Sequence, residues 1–186
     1  TLTQRCTSVT GLDPCANSLA KHRTISNVVE GSLEEIPFAD CSFDLVSANM
    51  VVEHLENPLQ CFNEIYRVLK PGGRFIFHTT NKYGYYAIAT AACPGWIKNS
   101  VVRLFQDRDE DDVFPTVYRA NSEKDVRALA DSSGFLVQSL ELLASSAQAI
   151  VIPLLGIFEL IWIRLTMLPS MSNSRQVILA TLEKPA

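Results

Sequence analysis

The sequence predicts an α/β fold in which a mostly parallel sheet carries helices on both faces. Three neighbouring segments support this prediction. Residues 43–50 form a mostly apolar run between polar turns, which is typical of a strand covered on both faces. Residues 57–70 space their apolar side chains as a helix with one buried stripe does, and residues 74–80 form the next strand. Because the links are short, we expect parallel strands with right-handed crossovers.

The same alternation precedes these segments. Residues 8–13 predict a strand that ends in a turn, and residues 25–32 predict a strand and a loop. Pro14 opens a predicted helix over 14–23, because proline favours the first helical turn. Pro71-Gly72-Gly73 is predicted to be a structural turn that stops the helix at 57–70.

The C-terminal part predicts one more helix and two strands. The helix covers residues 121–135, with Asn121 or Ser122 as its N-cap and Gly134 at its end. The two strands cover residues 135–144 and 175–184.

Composition limits the possible functions. The chain of 186 residues is short enough to form one domain, 1–186, and long enough to bury a core. A net charge of −4 provides no basic field for nucleic acid, so we expect no nucleic-acid partner. The five cysteines are scattered and form no C-x-x-C pair, which argues against disulfides and zinc and favours a reducing, cytoplasmic location. The acidic run at 106–112 lacks the spacing of a calcium loop, so we expect no metal.

A carboxylate near the start of the chain suggests a ligand site. Gly11-Leu12-Asp13-Pro14 predicts the end of a strand that carries Asp13 at the rim of the sheet. A carboxylate in that place usually holds a ribose, about 20 residues after a glycine-rich loop. Here only twelve residues precede Asp13, and Gly11 is the only glycine among them.

Three segments in order resemble a known family. They are VTGLDP, then EGSLEEIPFADCSFDLVSANMVVEHLENP, then EIYRVLKPGGRFIF, within residues 9–77. Together they resemble the class I S-adenosylmethionine-dependent methyltransferases, type 11 group. The resemblance implies a Rossmann-like sheet that ends in an antiparallel strand pair. It also implies that the first strand and its glycine-rich loop are absent, so that the sheet is incomplete at the N-terminus.

The resemblance assigns cofactor-binding roles near the first two strands. S-adenosyl-L-methionine would have its ribose hydroxyls bound by Asp13, which Gly11 and Pro14 flank. The alternative is that Asp13 only caps a turn or a helix. The loop around Ser32 would contact the adenine through the hydroxyl and the backbone N–H of the next residue. The family most often has Asp at position 32. The loop residues are Gly31, Ser32 and Leu33.

The resemblance also places residues after the central strand. Asn49 and Met50 would border the methionine part of the cofactor. His54 could act as a general base on an acceptor hydroxyl, because its intrinsic pKa lies near neutrality, or it could be structural. Residues 81–119 would form an acceptor-side insertion whose aromatic side chains line the acceptor site or simply pack on the sheet. The candidate substrate residues are Tyr83, Tyr86, Tyr118 and Arg119.

An apolar stretch lies between the last two predicted strands. Residues 142–168 contain only Glu159 and Arg164 as charges. A single membrane crossing would separate the last strand from its sheet, so we expect a helical insertion over 145–173 instead. It could cover the site as a lid, rest in a membrane interface or join two copies of the chain through 146–168.

The sequence therefore predicts methyl transfer from S-adenosylmethionine to a small-molecule or lipid-like acceptor. The alternative is a catalytically degenerate relative that acts as a binding or membrane-peripheral module. The apparent lack of the glycine-rich loop and the serine at position 32 favour that alternative.

Overall fold

The computed structural model describes residues 6–15, 25, 27–85, 87–88, 116–144 and 153–186. Its strands are β1 Thr10–Asp13, β2 Asn27–Glu30, β3 Phe43–Asn49, β4 Leu69–Thr80, β5 Leu136–Leu143 and β6 Val177–Glu183. Its helices are α1 Pro58–Val68, α2 Glu123–Ser133 and α3 Pro153–Thr166, with short 3-10 helices at Val52–His54 and Pro169–Ser174.

The strands form the mixed sheet that the sequence predicts. β1 and β2 pair in parallel, and a four-stranded sheet has the order β3-β4-β6-β5. β3 and β4 are parallel, whereas β6 is antiparallel to both β4 and β5. Within the described residues, the β1–β2 pair shares no strand pairing with the four-stranded sheet, in which β3 is an edge strand.

α1 joins the sheet through one buried face. Pro58 occupies its first turn, and its buried residues, which follow the i, i+1, i+4, i+7 spacing of one helix face, are Cys61, Phe62, Ile65 and Val68. The Phe62 ring is fully buried. It makes edge-to-face contacts with Phe75, Phe77 and Phe135, at centroid distances of 5.6, 5.9 and 6.5 Å. The core therefore lies between α1 and the four-stranded sheet.

α2 begins and ends as its sequence predicts. The Ser122 hydroxyl accepts a hydrogen bond from the backbone N–H of Asp125, at 3.2 Å. Gly134 follows the helix with φ of 82°, a left-handed conformation that glycine adopts without strain. Ser122, rather than Asn121, is thus the cap.

The predictions for the end of α1 and for the turn after it were wrong. α1 ends at Val68, and Pro71-Gly72-Gly73 lies within β4 rather than between a helix and a strand. There it forms a bulge, because Phe43 pairs with Leu69 but Leu45 pairs with Arg74. Gly72 donates its N–H to the Lys184 carbonyl at 2.8 Å, so the bulge extends the pairing with the chain end.

β3 is not covered on both faces within the described structure. The exposed residues of this strand are Asp44, Leu45, Ser47 and Asn49, whereas Phe43, Val46 and Ala48 are partly buried. The apolar run therefore reflects one packed face together with small or apolar residues on the other.

Some predicted segments lie wholly or partly outside the described residues. These are the helix at 14–23 beyond Cys15, most of the 81–119 insertion including Tyr86, and the start of the apolar insertion at 145–152. The rest of that insertion contains α3. None of the helices in the described ranges is long and apolar enough to span a bilayer.

Replacing Phe62 with alanine should destabilise the protein by about 3–5 kcal/mol, because it removes a fully buried ring. Leu59 lies on the same helix but is 45% exposed, so L59A should cost less than about 1 kcal/mol. Urea unfolding monitored by circular dichroism measures both. Equal losses in the two variants would contradict the described packing of α1.

Candidate functional site

The carboxyl ends of β1 and β2 bring two predicted cofactor segments together. Asp13 pairs in register with Glu30, and the Gly31 N–H donates to the Asp13 carbonyl at 3.1 Å. Parallel strands bind ligands at this edge of open α/β sheets. The structure thus places Asp13 beside Gly31 and Ser32, as the sequence predicts.

The Asp13 carboxylate has one oxygen committed within the chain. Its Oδ1 accepts the backbone N–H of Cys15 at 2.8 Å, across the exposed Pro14. This is the turn-capping role that the sequence left open. An ionised carboxylate has acceptor capacity on both oxygens, so Oδ2 retains the capacity for a ribose hydroxyl.

The loop after β2 is shaped by close packing. A Cβ on Gly31 would lie 3.0 Å from Leu12 Cδ1 and 3.1 Å from Pro37 Cδ, so a side chain would require these neighbours to shift. The Ser32 hydroxyl accepts the N–H of Glu34 at 3.1 Å, and Leu33 packs against the core. Gly11 is less constrained, since a Cβ there would meet only ordinary contacts at 3.6 Å or more.

Polar side chains of α1 hold this loop in place. The Asn57 amide donates to Glu34 Oε1, and the Gln60 amide donates to the Glu34 carbonyl, each at 2.9 Å. Glu34 is therefore bound to α1 and its N-cap residue. These contacts link residues about 25 apart, so local sequence patterns gave no signal for them.

Arg67 and Glu64 form the second part of this support. The Arg67 guanidinium donates to both Glu64 oxygens, to Asp40 and to the carbonyls of Ile36 and Phe38, at 2.8–2.9 Å. Glu64 Oε2 also accepts the Ile36 N–H at 2.9 Å. The hydrogen bond from Arg67, followed by that from the Ile36 N–H, lowers the pKa of Glu64 against the opposing effect of burial. Together they fix residues 36–40, directly after the candidate adenine loop.

The end of β3 contributes the third segment of the site. Asn49 is exposed, and Met50 is 43% exposed with φ of 55°. A left-handed conformation is uncommon for a residue with a side chain and is concentrated at functional sites. The Met50 N–H donates to the His78 carbonyl at 2.8 Å, which holds this conformation. The His78 Nδ1 is buried without a hydrogen-bond partner among the described residues.

The loop that follows contains His54 and a residue that sequence reasoning missed. His54 is partly buried in the 3-10 helix Val52–His54. Its neighbour Glu53 is only 3% exposed, and its Oε2 accepts the Thr79 hydroxyl at 2.6 Å. Its backbone carbonyl accepts the N–H groups of Val117 and Tyr118. All these partners are distant in sequence, so Glu53 could not be recognised from its neighbours.

The candidate acceptor residues do not share one surface. Tyr83 is 55% exposed and lines a cleft of about 400 Å³ with Asn81, Ser122, Glu123, Lys124, Arg127, Leu142 and Asn173. Tyr118 and Arg119 instead contact the loop after β3, where Arg119 donates to the Glu56 carbonyl at 2.5 Å. Neither lines the cleft. Tyr86 lies outside the described residues.

No metal site is evident in the ranges that the structure describes. No three side chains of histidine, cysteine, aspartate or glutamate are grouped there so that they could hold an ion. The site consists instead of one carboxylate, a serine loop and the exposed end of β3.

Comparison with known proteins shows what the N-terminal part of the chain is similar to. Residues 1–77 match the family described as "Methyltransferase domain". A demethylmenaquinone methyltransferase of Listeria monocytogenes serotype 4b is 34% identical over 96 residues, 47% of this chain and 37% of that protein. The chloroplastic 2-phytyl-1,4-beta-naphthoquinone methyltransferase of Arabidopsis thaliana is 35% identical over 74 residues, 40% of this chain and 28% of that protein.

A solved structure confirms the fold. An S-adenosylmethionine-dependent methyltransferase from Mesorhizobium loti superimposes with a TM-score of 0.59 at 18% identity, covering 96% of this chain and 81% of that one. Residues 1–77 are thus similar to the methyltransferase domain family, and the superposition shows that the fold is the one the sequence predicted. The chain spans less than two-fifths of the length of the two curated relatives.

The Glu64–Arg67 pair should make stability depend on pH. Because the folded protein lowers the pKa of Glu64 below 4.5, the pair stabilises the fold above that pH. This contribution is lost as the pH falls through the folded pKa. In E64Q the free energy of unfolding should therefore fall less steeply below about pH 4.5 than in the wild type.

Urea unfolding between pH 3 and pH 7 tests this expectation. E123Q is the matched control, because Glu123 forms an exposed pair with Arg127 on α2, and its loss should leave the pH profile nearly unchanged. A wild-type slope in E64Q would contradict the role of the pair.

Proposed function

We propose that this chain is the catalytic domain of an enzyme that transfers a methyl group from S-adenosylmethionine to a small, lipid-like acceptor. One observation carries the proposal: the Asp13 carboxylate lies beside the Gly31–Ser32 loop at the carboxyl ends of two parallel strands. That edge is where this class of fold binds its nucleoside ligands. Both segments lie within residues 1–77, which match the methyltransferase domain family.

The residues present fit the cofactor. Asp13 retains the acceptor capacity of Oδ2 for a ribose hydroxyl, and the exposed Ser32 hydroxyl has a second lone pair for the adenine amino group. Asn49 and Met50, exposed at the end of β3, would border the methionine portion. S-adenosylmethionine, when bound, supplies an electrophilic methyl group on a sulfonium.

The contribution of the protein to such a transfer is chiefly alignment. Methyl transfer requires the acceptor atom in line with the methyl group and shielded from water, and correct positioning can supply a large part of the rate enhancement. The fixed loop at 36–40 and the left-handed Met50 provide a rigid cofactor side. His54 lies in the adjoining loop, where it could accept a proton from an acceptor hydroxyl.

The exposed face of α3 supports a lipid-like acceptor. Its side chains Ile157, Phe158, Leu160, Ile161, Trp162 and Leu165, with Met167 and Leu168 beyond the helix, are each 38–64% exposed. Glu159, the only acidic residue of the helix, is buried and accepts the Tyr85 hydroxyl. The outward surface is thus apolar, with Arg164 as its only charge, as in helices that rest in a membrane interface. The names of the two curated relatives also specify quinone acceptors.

Titration calorimetry with S-adenosylmethionine tests the cofactor site. D13A should weaken binding about tenfold or more, because a charge-assisted hydrogen bond contributes roughly 1.5–3 kcal/mol. S32D should tighten binding about threefold to tenfold, since a carboxylate is a stronger acceptor than a hydroxyl.

D44N is the control for these variants. Asp44 is an exposed carboxylate at the opposite end of β3, paired with Lys70, so its loss should not change binding. If the wild type and S32D both fail to bind, the catalytic proposal is wrong and a non-catalytic binding module becomes the better reading. If D13A binds as the wild type does, Asp13 is only a turn cap.

Sedimentation with phosphatidylcholine vesicles tests the membrane contact. F158E should reduce the bound fraction about fivefold or more, because it places a charge on a residue that is 64% exposed on the apolar face. L59E introduces the same charge at an exposed leucine of α1 and should leave binding unchanged.

Self-association is the competing use of this face. Wild-type protein that does not sediment with vesicles, but forms a dimer that F158E disrupts, would assign the face to contact between two copies of the chain. Analytical ultracentrifugation of both proteins distinguishes these outcomes.

A further inference from the structure

Glu53 is a buried carboxylate that no cationic side chain of the described residues pairs with. Its residue is 3% exposed, and it takes part in none of the ion pairs found among the described residues. The Thr79 hydroxyl, itself fully buried, donates to Glu53 Oε2 at 2.6 Å. Removing a carboxylate from water costs free energy, and a hydrogen bond from one neutral donor offsets only part of that cost. Packing alone therefore does not explain why a glutamate occupies this position.

A chain of hydrogen bonds fixes the direction of this contact. The Asn121 amide donates to Thr79 Oγ1 at 2.9 Å and to the Thr80 carbonyl at 2.7 Å. The Thr80 carbonyl can only accept a hydrogen bond, so the Asn121 side chain must turn its amide nitrogen, not its oxygen, toward Thr80 and Thr79. The Thr79 oxygen therefore accepts from Asn121, and its hydroxyl proton is donated to Glu53. The three side chains connect the loop after β3, the end of β4 and the residue that precedes the cap of α2.

The backbone of Glu53 makes a second connection. Its carbonyl accepts the N–H of Val117 at 2.9 Å and that of Tyr118 at 3.2 Å. Tyr118 has φ of 51°, a strained conformation that needs such support. Arg119 then donates to the carbonyl of Glu56 in the same loop. Residues 117–119 are thus held by the loop that also contains His54.

We infer that Glu53 is a positioning residue that fixes the acceptor-side segment 117–119 relative to the cofactor-side loop. Its side chain anchors the loop to β4, and its carbonyl anchors the segment to the loop. A change in its side chain would therefore shift Tyr118 and Arg119 without touching Asp13 or Ser32. The effect on methyl transfer rests on the proposed function, whereas the positioning role does not.

Two substitutions at Thr79 test the inference without a cavity. T79V keeps the shape of the side chain and removes only the hydroxyl, and T79S keeps the hydroxyl. In T79V, hydrogen exchange at the amides of Val117 and Tyr118 should be faster by about tenfold or more. In T79S it should return to within about twofold of the wild type. E53A should match T79V, and circular dichroism checks that each variant is folded.

E56A is the matched control, because Glu56 is exposed in the same loop and its backbone carbonyl, not its side chain, binds Arg119. Its exchange rates should be those of the wild type. Unchanged exchange in T79V and E53A, or failure of T79S to restore protection, would overturn the inference.

Kinetics separate positioning from a general structural role. With 2-phytyl-1,4-naphthoquinone as the acceptor probe, T79V should raise the acceptor KM about fivefold or more. Its Kd for S-adenosylmethionine should change by less than about twofold. Loss of cofactor affinity to the same extent would show a structural role only. If the wild type transfers no methyl group to this probe, the proposed acceptor class fails, while the exchange data still decide the role of Glu53.

Discussion

The Arg67 guanidinium is the interaction on which the geometry of the site depends. It reaches from the last turn of α1 to two backbone carbonyls and two carboxylates, so one side chain fixes the loop that follows β2. Its planar fork suits this role, since it binds the Glu64 carboxylate through two parallel hydrogen bonds and still has donors for the carbonyls. α1 is in turn fixed to the sheet by Phe62 and its aromatic neighbours. The apolar face of one helix thus positions the helix, and its polar side chains position the site.

The two sides of the site are supported in different ways. Asn57 and residues of α1 support the candidate cofactor side through hydrogen bonds that are exposed or only partly buried. The proposed acceptor side depends on a buried network in which Asn121 donates to Thr79 and Thr79 donates to Glu53. A substitution that removes one of these groups leaves a buried polar group without its partner. Such a network tolerates little variation. The exposed contacts of Asn57 and Gln60 with Glu34 can vary more freely, because water can replace a lost partner.

Local patterns predicted the elements, whereas long-range pairing decided the details. The caps Ser122 and Gly134 were readable because capping depends on neighbours within four residues. The Pro71-Gly72-Gly73 bulge was not readable, because its partner Lys184 lies more than a hundred residues away. The family resemblance named Asp13 and Ser32 as cofactor-binding residues, and this stays a prediction. Glu53 and Arg67 were missed as support residues because their partners come from other elements, and Leu45 looked buried because apolar character does not by itself report contact.

The edge of β3 that faces away from β4 has a consequence for self-association in solution. Within the described strands, β3 pairs only with β4, so its other edge has backbone donors and acceptors without a strand partner. Leu45 on this strand is 37% exposed, and α1 does not cover it. Such an edge is a template for β-augmentation, in which an extended segment of another polypeptide adds as a new strand. Self-association of this chain should accordingly rise with protein concentration more steeply than its net charge suggests, since strand pairing between molecules at this edge needs no unfolding.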